Sequence, residues 1–501
     1  MNLAELDLRT KVGQLFAFSA FHPTLDEETR RMVVELKAGG IFLPTGSLQV
    51  PEQVHRLTTL LQSAALAEGS GIPLFISADF VAGAGCKLRS GAVHFPKNRA
   101  IGAGEDEQLA YESGRITAKE SLAMGVNFNY SPVVDINNNP LNPVIGMHSF
   151  GEDRELVSRM GSAIIRGYQE HGMIATAKHF PGHGDTSVDS HEDLPVLPFD
   201  LERLEAFELY PFRQAIEAGV DAVMVGHIAV PSLDSTMKPA SLSHELVTKL
   251  LRQKMKFEGL IVTDGLSMKG VMNQYSMEEA CVLSLQAGTD ILLATTSCYE
   301  DSASVLEAVI KAVESGRLNE ARINESVSRI WAMKKKYGLL PDNFTTIPYA
   351  PGSFNQPSSV TVAAELAGKA ITPVNGLNKR AFKDIDVNKW MIVHDGGVAQ
   401  FAQEIRNGRA IRQQQAESYE EVLCILKELP TDVCVLIALS HNKRMSTAFT
   451  GQLHTQLARF ADAIWIHFGS AYDMEGVSCR GLLAYDRAPS LQLAAAQYLL
   501  E

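Results

Sequence analysis

Asp189 and His191 stand two residues apart in the segment 178–195, which reads KHFPGHGDTSVDSHEDLP. In extended backbone, residues two apart face the same side. The carboxylate can then orient the imidazole and stabilise its protonated form, which suits general acid/base work near neutral pH. Asp264 ends the β-rich run Leu260-Ile261-Val262-Thr263 and precedes Gly265. A carboxylate there is either a nucleophile facing an open mouth or the N-cap of the next helix, and spacing alone leaves both readings open. Pro181, Gly182 and Gly184 stiffen the 178–195 loop, with His183 and Asp185 read as its internal braces. The His and Asp spacing matches no familiar zinc pattern such as HExxH, so neither a metal nor a cofactor is expected.

These side chains need a frame that gathers them. Short apolar runs at 13–18, 39–43, 73–78, 127–134, 174–178, 222–226, 259–263 and 290–294 alternate with amphipathic helical stretches such as 107–124, 154–171, 201–218, 243–255 and 277–287. About eight strands alternating with helices predict a (β/α)8 TIM-type barrel over residues 1–340. In such a barrel, residues just after a strand sit at the rim where active sites lie. Asp79, Asp135, Lys178–His179, His227 and Asp264 all follow apolar runs, so five strand ends deliver ionisable groups to one mouth. A Pro- and Gly-rich stretch, 341–359, reads as a linker. Beyond it, 360–501 again alternates strands and helices, which predicts a smaller, mostly parallel, doubly wound α/β domain. Ser440, His441 and Ser470 fall at its strand ends as a candidate ligand rim.

Composition excludes several classes of function. The 501 residues carry a net charge of −13, which argues against a nucleic-acid-binding surface. No apolar run approaches the roughly 18 residues of a membrane helix. The acidic and basic residues Glu5, Asp7, Arg9 and Lys11 at the start do not read as a secretory signal. The six scattered cysteines form no CxxC pair, so a reducing cytoplasm is expected. Gly83 and Gly85 lack the Lys-Ser/Thr ending of a phosphate loop.

The segment KHFPGHGDTSVDSHEDLP resembles, nearly residue for residue, the signature of the β-N-acetylglucosaminidase branch of family-3 glycoside hydrolases. IVTDGLSMKGV resembles the segment that carries that family's nucleophile. AVMVGHIAVPSLD, PASLS, NPVIGMHSFGED and AGTDILL match in order and spacing, and the region with GSAYDM resembles the α/β sandwich domain of two-domain members. The resemblance implies Asp264 as nucleophile, His191 as general acid/base and Asp189 as its partner. It implies Lys178 and His179 as sugar ligands and Asp79 as the holder of hydroxyls at the non-reducing end. Lys87, His148 and His227 complete the expected substrate-binding set. The implied activity is retaining, exo-acting release of a β-linked N-acetylhexosamine from a small carbohydrate or muropeptide-like substrate. Phosphorolysis of the same substrates, or an altered glycon preference, are the alternatives within that class. A non-catalytic carbohydrate sensor is the alternative outside it. A Schiff-base enzyme built on Lys178 would leave the Asp189–His191 pair unexplained. Nothing in the sequence sets an oligomeric state.

Three positions depart from the family pattern: Val81 where a Glu is usual, and Lys87 and His148 where Arg is usual. Losing one bidentate Arg contact costs about 1.5–3 kcal/mol of binding, so a changed glycon preference is expected.

Overall fold

The computed structural model describes residues 3–379, 386–407 and 409–501. Each of the eight apolar runs contributes a strand: β1 (Phe16–Ser19), β2 (Gly40–Phe42), β3 (Phe75–Ala78), β4 (Phe128–Asn129), β5 (Ile174–Phe180), β6 (Ala222–Val225), β7 (Leu260–Thr263) and β8 (Leu292–Ala294). They pair in parallel in the order β7-β6-β5-β4-β3-β2-β1-β8. Val262 pairs with Ile291, and the Thr263 N–H donates to the Ile291 carbonyl at 3.0 Å, which closes the ring. The strands are apolar throughout because helices cover one face and the packed barrel interior covers the other. Phe16 and Phe18 stack there at 5.1 Å, and Phe75 meets Phe128 edge-on at 5.5 Å.

Helix starts follow from side chains that accept otherwise orphaned N–H groups. Asp106, Asp153 and Asp200 cap the helices Glu107–Ala123, Arg154–Gln169 and Leu201–Ala206 in this way. The stretch 201–218 is two helices, with the second, Tyr210–Glu217, carrying Pro211 in its first turn, where the missing N–H costs nothing. The 127–134 run yields only a two-residue strand. The Asn129 side chain takes the N–H of Phe80 at 2.9 Å, and Pro132 offers no donor to continue the ladder.

On the face opposite the strand ends that carry the ionisable groups, Asp290 is fully buried and meets Arg252 at 2.7 Å, Arg322 at 3.1 Å and Arg329 at 3.0 Å. Removing one member of a buried ion network leaves unpaired buried charge, so Asp290→Ala is expected to lower unfolding stability by about 3–5 kcal/mol. A urea titration checks this through its midpoint.

The second sheet comprises β9 (Thr372–Val374), β10 (Trp390–Asp395), β11 (Arg412–Ala416), β12 (Cys434–Ser440), β13 (Asp462–Phe468) and β14 (Arg480–Leu483). Their order is β11-β10-β12-β13-β14-β9, parallel except for the antiparallel edge strand β9. The helix Pro357–Ala370 joins the two domains and begins inside the stretch expected to be linker, because Pro357 is well placed at a helix start. Its Ala363 and Leu366 belong to the barrel core, while Ala367 and Ala370 belong to the core of the second domain.

Candidate active site

Five barrel strands, β3 to β7, carry the expected residues at or just beyond their carboxyl ends. After β3, Asp79 meets the Lys178 ammonium at 2.6 Å, and the Lys178 side chain is only 7% exposed. Burial pushes the Asp79 carboxyl up, but the charges of Lys178 and Lys87 and the Lys178 hydrogen bond outweigh this and hold it below the ordinary carboxylate range. At the end of β5, His179 is fixed by Asp135, whose carboxylate lies 2.8 Å from Nδ1. The same carboxylate accepts the backbone N–H groups of His179 and of His183, the latter at 2.7 Å. Asp135 therefore sets the imidazole's direction and leaves its Nε2 without a partner among the described residues.

The 178–195 loop lies against the strand-4 loop at Gly184, where an added Cβ would sit 1.6 Å from the Ile136 carbonyl oxygen, so only glycine fits. His183 is buried and bridges Thr186 (2.8 Å) and Ser190 (3.1 Å), while Asp185 accepts from Asn138 at 2.9 Å. Both are braces. This framework presents Asp189 and His191, whose Nδ1 lies 2.8 Å from Asp189 Oδ1. The His191 side chain is 65% exposed, and its Nε2 has no partner among the described residues. Burial pushes Asp189 up, but the N–H groups and charge of His191, together with Lys443, hold it below its ordinary value.

Asp264 follows β7. Its Oδ1 accepts the Gly265 N–H at 2.7 Å, and its other oxygen has no partner among the described residues. It does not cap a helix: the next one, Lys269–Met272, starts five residues later, with Met268 before it. Burial pushes this carboxyl up, but the neighbouring His179 and His227 rings, the Gly265 N–H and the Lys178 ammonium outweigh it and hold it below the ordinary carboxylate range. The segment after Asp264 is tied to the loop of the couple: Gly270 N–H donates to the Ser190 carbonyl at 3.1 Å, and Asn273 donates to Asp193 at 3.2 Å. Asp264 and the Asp189–His191 couple therefore share one mouth.

His227 departs from the sugar-binding expectation. It is fully buried, with Nδ1 on Ser241 at 2.7 Å and Nε2 on the Gly265 carbonyl at 2.9 Å. Both ring nitrogens are occupied, so His227 braces the turn that aims Asp264. Lys87 and His148 lie beside Asp79 without a side-chain hydrogen bond among the described residues, and burial pushes the His148 ring down to about 3, so Lys87 alone of the two brings a charge. Two contributors were missing from the expected set. Asp135 was visible only as one more strand-end acid, and Lys443, 3.6 Å from Asp189, comes from the second domain with no motif to mark it. Ser440 and His441 are both tied within the second domain: Ser440 donates to Asp395 at the end of β10, and the His441 ring contacts the Lys443 carbonyl at 2.6 Å.

If Asp264 must be ionised to react, activity falls as pH drops through its pKa. His179→Gln removes a group that lowers that pKa, so the acidic limb of the kcat/KM profile is expected to move to higher pH. An unmoved limb would assign it to another group.

A barrel with ionisable side chains gathered at the carboxyl ends of its strands has the active face of a (β/α)8 enzyme fold. The chain belongs to glycosyl hydrolase family 3, whose N-terminal domain model matches residues 7–333. It is 33% identical over 371 residues to a beta-hexosaminidase A of Pseudoalteromonas piscicida, covering 70% of this chain and 62% of that one. It is 31% identical over 382 residues to a beta-N-acetylglucosaminidase/beta-glucosidase of Cellulomonas fimi, covering 74% and 65%. The matched stretches thus span less than two thirds of either relative. A solved family-3 beta-N-acetylglucosaminidase from Paenibacillus sp. str. FPU-7 superposes with a TM-score of 0.90 at 32% identity, over 99% of this chain and 96% of that one.

Proposed function

We propose that the chain is a retaining glycoside hydrolase that removes a β-linked N-acetylhexosamine from the non-reducing end of a small carbohydrate or muropeptide-like substrate. The observation that carries this is Asp264: an ionised carboxylate with one oxygen uncommitted, tied through Gly270 and Ser190 to the loop holding the Asp189–His191 couple. The free Asp264 oxygen attacks the anomeric carbon. The glycosidic C–O bond breaks as His191 passes its proton to the leaving oxygen, and a glycosyl ester forms on Asp264. In the second step His191 takes a proton from water, whose oxygen attacks the same carbon and releases Asp264 as carboxylate. Two inversions retain the configuration. Asp79 and Lys178, joined at 2.6 Å, bind hydroxyls of the glycon, and the free His179 Nε2 offers a further contact. The six cysteines are unpaired, which suits a cytoplasmic enzyme. Among the described residues, no helix is long and apolar enough to cross a membrane.

A panel of nitrophenyl sugars, run with and without inorganic phosphate, tests the reading. Faster turnover of the β-N-acetylglucosaminide than of the plain glucoside, with free sugar as product, is the expected result. A sugar 1-phosphate as main product would make the protein a phosphorylase. A faster glucoside would remove the N-acetylhexosamine preference.

A further inference from the structure

The second domain reaches the Asp189–His191 couple through one short loop, residues 441–446, which leaves the carboxyl end of β12. The Lys443 ammonium on that loop lies 3.6 Å from Asp189 Oδ2. The other oxygen, Oδ1, is committed to His191, taking its backbone N–H at 3.0 Å and facing its Nδ1 at 2.8 Å. The two oxygens thus divide between the imidazole and the ammonium. Among the described residues, His191 and Lys443 are the two basic side chains in ion-pair contact with Asp189. The terminal torsion of an Asp side chain is broad and soft, so a carboxylate engaged through one oxygen alone holds an exposed ring loosely. Engaging the second oxygen fixes its plane.

Buried contacts of the second domain place Lys443. Met445 N–H donates to Asp473 Oδ1 at 2.9 Å. The other Asp473 oxygen meets His467 Nε2 at 2.9 Å, and both of these side chains are fully buried. The neighbouring Tyr472 docks on the barrel: its hydroxyl lies 2.6 Å from Glu152 and 3.1 Å from the Asn137 carbonyl. Arg444 Nη1 lies 3.4 Å from the Pro140 carbonyl in the same strand-4 loop. That loop is in turn fastened to the loop of the couple, since Asn138 donates to Asp185 at 2.9 Å. Lys443 therefore meets Asp189 from a surface anchored on both sides.

We infer that Lys443 is a positioning residue of the reaction: the second domain supplies the ammonium that fixes Asp189 and so completes the couple borne by the barrel. The inference rests on the reading of Asp189 and His191 as the acid/base. Two effects follow. With both carboxylate oxygens engaged, His191 Nε2 stays aimed at the leaving oxygen. The ammonium also opposes positive charge on the imidazole, so the proton departs more readily as the glycosidic bond breaks. The other charged groups around the couple are Asp185, Glu192 and Asp193 on its own loop, Asp264 and Lys269 on the segment tied to it, the buried His227, and Arg444 beside Lys443.

Lys443→Met keeps the length of the side chain and removes its charge. The side chain is 59% exposed, so the thermal midpoint should stay near that of the wild type. The measure is kcat/KM, which covers only the steps up to the glycosyl ester. It is taken on a β-N-acetylglucosaminide with a poor methoxyphenol leaving group and on its dinitrophenyl counterpart. The variant should lose about fivefold or more on the first and less than about twofold on the second, because only the first needs the proton. On the methoxyphenyl substrate the basic limb should move to higher pH by about half a pH unit at low salt, and less at high salt. Lys443→Arg should restore both readouts. An equal loss on both substrates, or none on either, overturns the inference and leaves Lys443 a docking contact. His191→Ala, run beside it, separates this inference from the reading beneath it. If His191→Ala shows the leaving-group dependence and Lys443→Met does not, the couple stands and the role of Lys443 falls. If His191→Ala shows none, the acid/base reading falls and the role of Lys443 falls with it.

Discussion

Asp264→Asn is expected to lower kcat on a nitrophenyl β-N-acetylglucosaminide by about 10⁴-fold or more, because it removes the attacking group. At about 1.4 kcal/mol per tenfold, that is about 5.5 kcal/mol of barrier. The amide matches the carboxylate in shape, and its oxygen can still accept the Gly265 N–H that Asp264 Oδ1 takes at 2.7 Å. The thermal midpoint should therefore stay near that of the wild type, and the sugar should still bind. Loss of turnover with binding retained separates a nucleophile from a scaffold residue. It also excludes the sensor reading, in which Asp264→Asn would leave the protein's output intact.

His191→Ala is expected to slow turnover by about 10²–10⁴-fold, the usual contribution of a positioned general acid/base. The size should depend on the leaving group. A dinitrophenolate departs with little proton assistance, so formation of the glycosyl ester should be nearly normal with that substrate. Its breakdown should remain slow until azide, which needs no base, is added. Rescue by azide with a β-glycosyl azide as product places His191 on the acid/base path. Equal loss with good and poor leaving groups, and no azide effect, would make His191 a residue of structure alone. Asp189→Asn should follow the same pattern at smaller amplitude. The 2.8 Å contact would then hold the imidazole without a charge to favour its protonated form.

The barrel was legible because each of its strands is a buried apolar run, and both faces of a parallel strand must be apolar. The eight runs from 13 to 294 all contain a strand, although that in 127–134 is shorter because Pro132 offers no donor to continue the ladder. The second domain was read less completely. Thr372–Val374 is a three-residue edge strand, and Arg412–Ala416 has a polar, exposed sequence, RQQQA, with no periodicity to reveal it. At the mouth, rim residues could be placed from their position at or just after a strand's end, as with Asp79, Lys178 and Asp264. What spacing cannot reveal is which nitrogen or oxygen is already taken. His227 follows β6 and His179 lies near the end of β5, yet His227 spends both nitrogens on Ser241 and Gly265, while His179 keeps one without a partner among the described residues. Contacts across domains were equally hidden. Lys443 lies more than two hundred residues from the loop it approaches.

The two-step mechanism is tested most directly by trapping the covalent species. A 5-fluoro N-acetylglucosaminyl fluoride slows both steps, and the ester accumulates when the fluoride leaving group is good enough. Digestion and mass spectrometry of the inactivated protein should then place one sugar on Asp264, within the peptide spanning 260–272. A sugar attached to another carboxylate, or inactivation failing while the product of normal turnover shows inverted configuration by NMR, would contradict a retaining mechanism on Asp264.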